Sequence, residues 1–140
     1  MDELLDLGST YCSLSLLDNE GKTFFSKSSS DEWYKIYIES GLYRKCHLMK
    51  EAVKQITHHH TPFIFLWDNY FANNEESHYL NKLRDEKNLS HGVAFCTPVD
   101  NGHKAIVTIT GKPSDINFSS NVLRKKAHVY KALMKASLSL

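Results

Sequence analysis

Asp100-Asn101-Gly102 stands between two apolar runs, Val93 to Thr97 and Ala105 to Thr110. Asn-Gly supplies residues that accept a left-handed backbone, so this spacing predicts a tight hairpin and antiparallel pairing of its flanks. A second hairpin reads the same way: Tyr11 to Leu17, a turn at Asp18-Asn19-Glu20-Gly21, then Thr23-Phe24-Phe25. Helical patterns lie between and after them. Ser30 or Asp31 caps a helix from about Glu32, with Trp33, Ile36 and Tyr37 on one face and Gly41 at its end. Leu48 to Ile56 reads as a short second helix, broken by His58-His59-His60-Thr61-Pro62, and Phe63 to Trp67 as a strand or packed loop. Asn73 or Asn74 caps a third helix with Tyr79, Leu80, Leu83 and Lys87 inward. A last helix runs from about Asn121 to Ser137 behind Ser119 or Ser120, its apolar side made of Val122, Ala127, Val129, Tyr130, Leu133 and Leu138. Hairpins plus helices that cannot all be crossovers give an α+β class: an antiparallel sheet with helices on one or both faces.

Size and charge narrow the function. A chain of 140 residues reads as one domain, 1–140, large enough for a core and a modest pocket. A net charge of +1 gives no general pull toward nucleic acid or anionic membrane. The longest apolar run, Phe63 to Trp67, is too short to span a bilayer, and the acidic start Met1-Asp2-Glu3 is unlike a secretory signal. Cys12, Cys46 and Cys96 are odd in number and widely spaced, which speaks against a disulfide framework or zinc site and for a reducing cytoplasm. No phosphate-cradling loop or triad pattern occurs, so neither an enzyme nor a cofactor is expected.

The chemistry-bearing residues each carry two readings. Trp33 and Tyr37 on one helical face are core packing, or two apolar bodies whose polar tips orient a ligand. Cys46-His47 invites a nucleophile-and-base reading, but neighbours in sequence do not normally aim side chains at each other, and an inert buried thiol fits better. Three consecutive histidines, His58 to His60, do not converge on a metal and read as a solvated loop. Arg124, Lys125, Lys126, Lys131 and Lys135 read as a solvated helix face. Ser13, Ser15, Thr108 and Thr110 alternate with apolar neighbours, as edge polarity or as an inward hydroxyl wall.

Taken in order, Leu7 to Leu17, Ser28 to Tyr37, Thr61 to Trp67 and Ser90 to Phe95 resemble the autoinducer-binding domain of LuxR-type quorum-sensing transcription regulators over nearly the whole chain. The resemblance implies an α-β-α sandwich around a five-stranded antiparallel sheet, with an acyl-homoserine lactone between the sheet and the helices of one face. It implies ligand-binding roles for Trp33 (lactone carbonyl), Tyr37 and Trp67 (acyl chain and ring), Thr108 (amide region), and Ser13, Ser15 and Tyr34 as walls. Gly92 would be structural. It also implies a cytoplasmic homodimer that reaches DNA only through a helix-turn-helix domain, which is not expected within residues 1–140.

Two departures follow from the resemblance. The family's pocket aspartate, which accepts the ligand amide N–H, corresponds to Cys46, a weak uncharged acceptor. A tyrosine that contacts the ligand carbonyl corresponds to Ser29. With the polar recognition partly dismantled and the aromatic box kept, the expectation is a "solo" receptor for another apolar signal, such as a pyrone or resorcinol. The alternative is a ligand-independent dimerisation module acting on full-length regulators.

Overall fold

In the computed structural model, which describes residues 2–138, both hairpins form where their turns dictate. Strand β1 (Tyr11–Leu17) pairs with β2 (Thr23–Ser28) across a turn in which Asp18 Oδ1 accepts the N–H groups of Glu20 and Lys22, each at 2.9 Å. Strand β4 (Ser90–Pro98) pairs with β5 (Lys104–Gly111) across a turn where Asn101 and Gly102 take φ of 65° and 75°. With β3 (Phe63–Leu66) at one edge, the sheet has five strands in the order β2-β1-β5-β4-β3, antiparallel throughout.

The period of two along each strand sorts side chains to two faces. Cys12, Leu14, Phe95, Val107 and Ile109 meet α1 (Asp2–Asp6), α5 (Phe118–Arg124) and α6 (Lys126–Leu138), where Phe118, Val122, Val129 and Leu133 complete one buried core. Tyr11, Leu17, Ala94, Cys96 and Ile106 join a second core on the opposite face. It is completed by Trp33 of α2 (Asp31–Tyr34), Leu48 and Ile56 of α3 (His47–His58) and Leu80 of α4 (Glu75–Glu86). The result is the α-β-α sandwich.

Several local expectations change. The C-terminal helix is two helices: the backbone at Lys125 turns to φ −113°, ψ 26°, and α5 begins at Phe118, so Ser119 and Ser120 lie within it rather than capping it. The break turns Ala127 to solvent and brings Ala132 and Ala136 inward. The Leu138 side chain lies outside the described residues. On α4 the buried stripe is Ser77, Leu80 and Arg84, spaced i, i+3, i+7, while Tyr79 is exposed, Leu83 half-buried and Lys87 pairs with Glu32. Ser77 and Arg84 thus lie on the inner face in place of the expected Tyr79 and Lys87. Helix α2 continues as a wider π-helical turn, Lys35–Glu39, and stops at Gly41 with φ 80°. Trp67 leaves β3 and opens a 3₁₀ turn, Trp67–Asn69.

Candidate ligand pocket

Between the second face of the sheet and helices α2 to α4 lies a cavity of about 70 Å³. Its sheet wall carries Ser13 and Ser15 of β1, Ser26 and Ser28 of β2, and Thr108 of β5, with Phe65, Ala94 and Ile106 between them. Register explains the clustering: Ser13 lies opposite both Ser28 and Thr108, and Ser15 opposite Ser26, with the two hydroxyl oxygens 2.9 Å apart. Small hydroxyl side chains leave room under the helices and offer hydrogen bonds there. Thr110, the fourth alternating hydroxyl, is buried at the end of the strand with its Oγ1 3.0 Å from that of Thr10, outside the cavity.

The opposite wall is aromatic, and its two tryptophans are each held by a backbone device. Ser30 caps α2 by accepting the Trp33 N–H at 3.1 Å, so the indole enters on the first turn. The Trp33 and Tyr37 rings stack at 5.5 Å and 16°. Trp67 lies directly on Gly92, beside a bulge in β4 where His91 takes φ 51°. A Cβ on residue 92 would fall 2.0 Å from Trp67 Cδ2. Trp33, Tyr34, Tyr37, Trp67, Ser13, Ser15 and Thr108 therefore all line this one cavity.

Cys46 does not line it. The thiol is fully buried at the N-cap position of α3, and its Sγ lies 2.9 Å from Nη2 of Arg84. Ser29 is likewise turned away: its Oγ accepts the Cys12 N–H at 3.0 Å and ties the strand end to β1. His47 faces the Tyr70 carbonyl oxygen at 3.4 Å through Nε2, so the adjacent pair makes no nucleophile-and-base unit. Burial holds the His47 pKa below its usual value. It also pushes the Cys96 thiol up to about 12 and raises Cys12, which suits inert core thiols. His58, His59 and His60 are exposed where α3 ends, and among the described residues no group of His, Cys, Asp or Glu is arranged to hold a metal ion.

The residue that the sequence did not single out is Arg84. It is 3% exposed and lines the cavity, with its guanidinium carbon 5.8, 5.3 and 5.1 Å from the ring centres of Trp33, Tyr37 and Trp67. Three ring faces around one cation give cation–π attraction that is strongest out of water. Burial opposes the charge on Arg84, but Cys46 and Tyr37 outweigh it and keep the group firmly protonated. Burial, then Cys46, raises Tyr37 well above the ordinary phenol value, so its hydroxyl stays a donor. The signal in the sequence is the i, i+3, i+7 spacing of Ser77, Leu80 and Arg84, which an exclusively apolar reading of the helix passes over.

The sequence and the fold have counterparts in known proteins. The model of the autoinducer binding domain matches residues 3–130. The chain belongs to this family. The domain is therefore a signal-binding module of the autoinducer-binding kind. Among solved structures it resembles the N-acylhomoserine-lactone-dependent LuxR family transcription factor CepR2 of Burkholderia cenocepacia. The TM-score is 0.63 at 16% identity, over 98% of this chain and 82% of that one. It also resembles SdiA of Escherichia coli, with a TM-score of 0.55 at 12% identity, over 94% of this chain and 57% of that one. At these identities the likeness is one of fold. No curated protein matches the autoinducer-binding domain described here by sequence.

Proposed function

We propose that this autoinducer-binding domain senses a small, largely apolar signal other than a standard acyl-homoserine lactone, for a LuxR-type transcription regulator. Trp33, Tyr37 and Trp67 form the box around the signal, Tyr34 closes it, and Ser13, Ser15 and Thr108 receive its polar atoms. The observation that carries this reading is the lining itself: aromatic and hydroxyl side chains on opposite walls, and no carboxylate among them. A lactone amide N–H has no charged acceptor there, because position 46 is a thiol directed at Arg84.

The interior supports sensing over a purely structural module. Trp33 stacks on Tyr37, and Arg84 stands against the ring faces of both tryptophans, leaving a cavity. A signal that binds only the folded domain stabilises it by mass action, and with it the homodimer through which we expect it to act in the cytoplasm. No helix among the described residues is long and apolar enough to cross a membrane. Catalysis has no place in this reading, because no nucleophile is paired with a base at the cavity.

The test is a thermal-shift series with acyl-homoserine lactones, alkyl pyrones, alkyl resorcinols and fatty-acid-like compounds. Stabilisation by a compound outside the lactone class, abolished by Trp33→Ala and by Thr108→Val, is the expected result. Stabilisation by lactones alone overturns the ligand class, and no stabilisation by any compound overturns sensing.

A further inference from the structure

Arg84 is a buried cation with an incomplete set of partners. Its Nη2 meets the Cys46 sulfur at 2.9 Å and its Nη1 meets Asn81 Oδ1 at 3.3 Å. Its Nε is shielded from solvent with no hydrogen-bond partner. None of the ion pairs among the described residues involves Arg84. A guanidinium taken out of water normally keeps a carboxylate beside it. Here a thiol, the Tyr37 phenol, an amide and ring faces take that place, and none of them carries a full opposite charge.

The surroundings of the cation differ on its two sides. The cavity described above has no acidic residue in its lining, and five serine and threonine hydroxyls stand on its sheet wall facing Arg84. On the outer side Arg84, Leu48 and Trp67 also border a more open groove of about 410 Å³, and there the acidic residues Asp68 and Asp85 are found. These two are already engaged, Asp68 with His91 at 2.9 Å and Asp85 with the Ser90 hydroxyl at 2.5 Å. Positive charge and hydroxyl donors thus converge inward and negative charge is kept outward, which is the chemistry of an anion receptor with aromatic walls.

We propose that the signal carries a carboxylate, and that Arg84 is the residue that selects it. The proposal rests on the reading of this cavity as the signal site. The planar fork of Arg84 pairs two-pronged with a carboxylate, the hydroxyls of Ser13 and Thr108 donate to its remaining lone pairs, and the apolar part of the signal lies against the aromatic rings. The same ion pair explains a thiol at position 46. An aspartate there would neutralise Arg84 from within and leave nothing for an acidic ligand to neutralise.

Calorimetry with octanoate beside octanamide, benzoate beside benzamide, and N-octanoyl-homoserine lactone tests this on the chain as it stands. The acids are expected to bind about tenfold or more tighter than their amides, since a charge-assisted bond replaces a neutral one. Arg84→Met is expected to bring acid and amide to within about twofold, and Arg84→Lys to keep part of the preference, with the charge but without the fork. In the absence of any ligand, Arg84→Met is expected to melt no lower than the parent, because the substitution removes a buried charge that lacks its counter-ion. Equal binding of acids and amides by the parent, or a lasting preference in Arg84→Met, overturns the carboxylate assignment and leaves signal sensing standing. A much lower melting temperature of ligand-free Arg84→Met makes Arg84 a structural residue and overturns it too. Binding of none of the five compounds overturns the assignment, and the thermal-shift series above decides sensing separately.

Discussion

Trp67 rests on the bare α-carbon of Gly92, so closely that a methyl group there would sit 2.0 Å from the indole Cδ2. Gly92 needs no unusual backbone angle, and its role is to give up the volume of a side chain. The indole fills that space, and its ring face is presented to Arg84 at 5.1 Å. A backbone position on β4 thereby sets the aromatic box on the far side of Trp67.

Gly92→Ala is expected to displace Trp67 and to cost about 1–3 kcal/mol by overpacking. Urea unfolding would show the loss, and tryptophan fluorescence would shift as the indole moves. An unchanged midpoint and an unchanged emission maximum would refute this role.

The Cys46–Arg84 contact predicts a change of ligand class. Cys46→Asp supplies a carboxylate with lone pairs for both the guanidinium and a ligand amide. Affinity for acyl-homoserine lactones is expected to rise by about 1.5–3 kcal/mol, roughly ten- to a hundredfold. Titration calorimetry that finds the same lactone affinity in parent and variant would sink the prediction.

The Ser30 cap couples local stability to the pocket. Ser30→Ala leaves the Trp33 N–H without its side-chain acceptor and is expected to cost about 1 kcal/mol, whereas Ser30→Gly costs only a few tenths. Denaturant midpoints of the two variants check the ordering. Ligand binding by Ser30→Ala should weaken as well, because the lost cap frees the turn that carries Trp33.

His91 gives the fold a pH dependence of defined sign. Its Nδ1 faces the Asp68 carboxylate and its Nε2 the Pro113 carbonyl, each at 2.9 Å, so the doubly protonated ring donates on both sides. Burial works against that charge, but the Pro113 and Asp68 contacts prevail and raise the pKa. A raised folded pKa means stability that is fully present below the ordinary value of about 6.5 and is lost as pH rises through the folded value. His47 runs the opposite way, its depressed pKa removing stability as pH falls through the ordinary histidine value. His91 is therefore isolated by comparing the parent with His91→Asn, a residue that tolerates the left-handed backbone at this position. The parent's stability advantage is expected to be larger at pH 6 than at pH 8.5, and parallel melting curves across that range would exclude it.

Much of this domain is written locally in its sequence. The turns at Asp18–Gly21 and Asp100–Gly102, the caps at Ser30 and Asn74, and the alternation along β1 and β5 act within a few residues, through backbone angles and short hydrogen bonds. That is why the hairpins and the starts of α2 and α4 could be anticipated, while the alternation left Ser13, Ser15, Thr108 and Thr110 open between edge polarity and an inward wall. The break at Lys125 could not, because packing of α5 and α6 against one face of the sheet overrides a continuous helical pattern. Nor could the part played by Arg84. A lone arginine on a polar helix reads as solvated, and its burial arises only when α4 closes over Trp33, Tyr37, Cys46 and Trp67, which come from three other segments of the chain. The sequence by itself determined the two hairpins and the aromatic residues. Only the tertiary structure decided that a cation stands between those aromatic rings and the Cys46 thiol, because the charge of a buried site is a sum over segments that local rules never bring together.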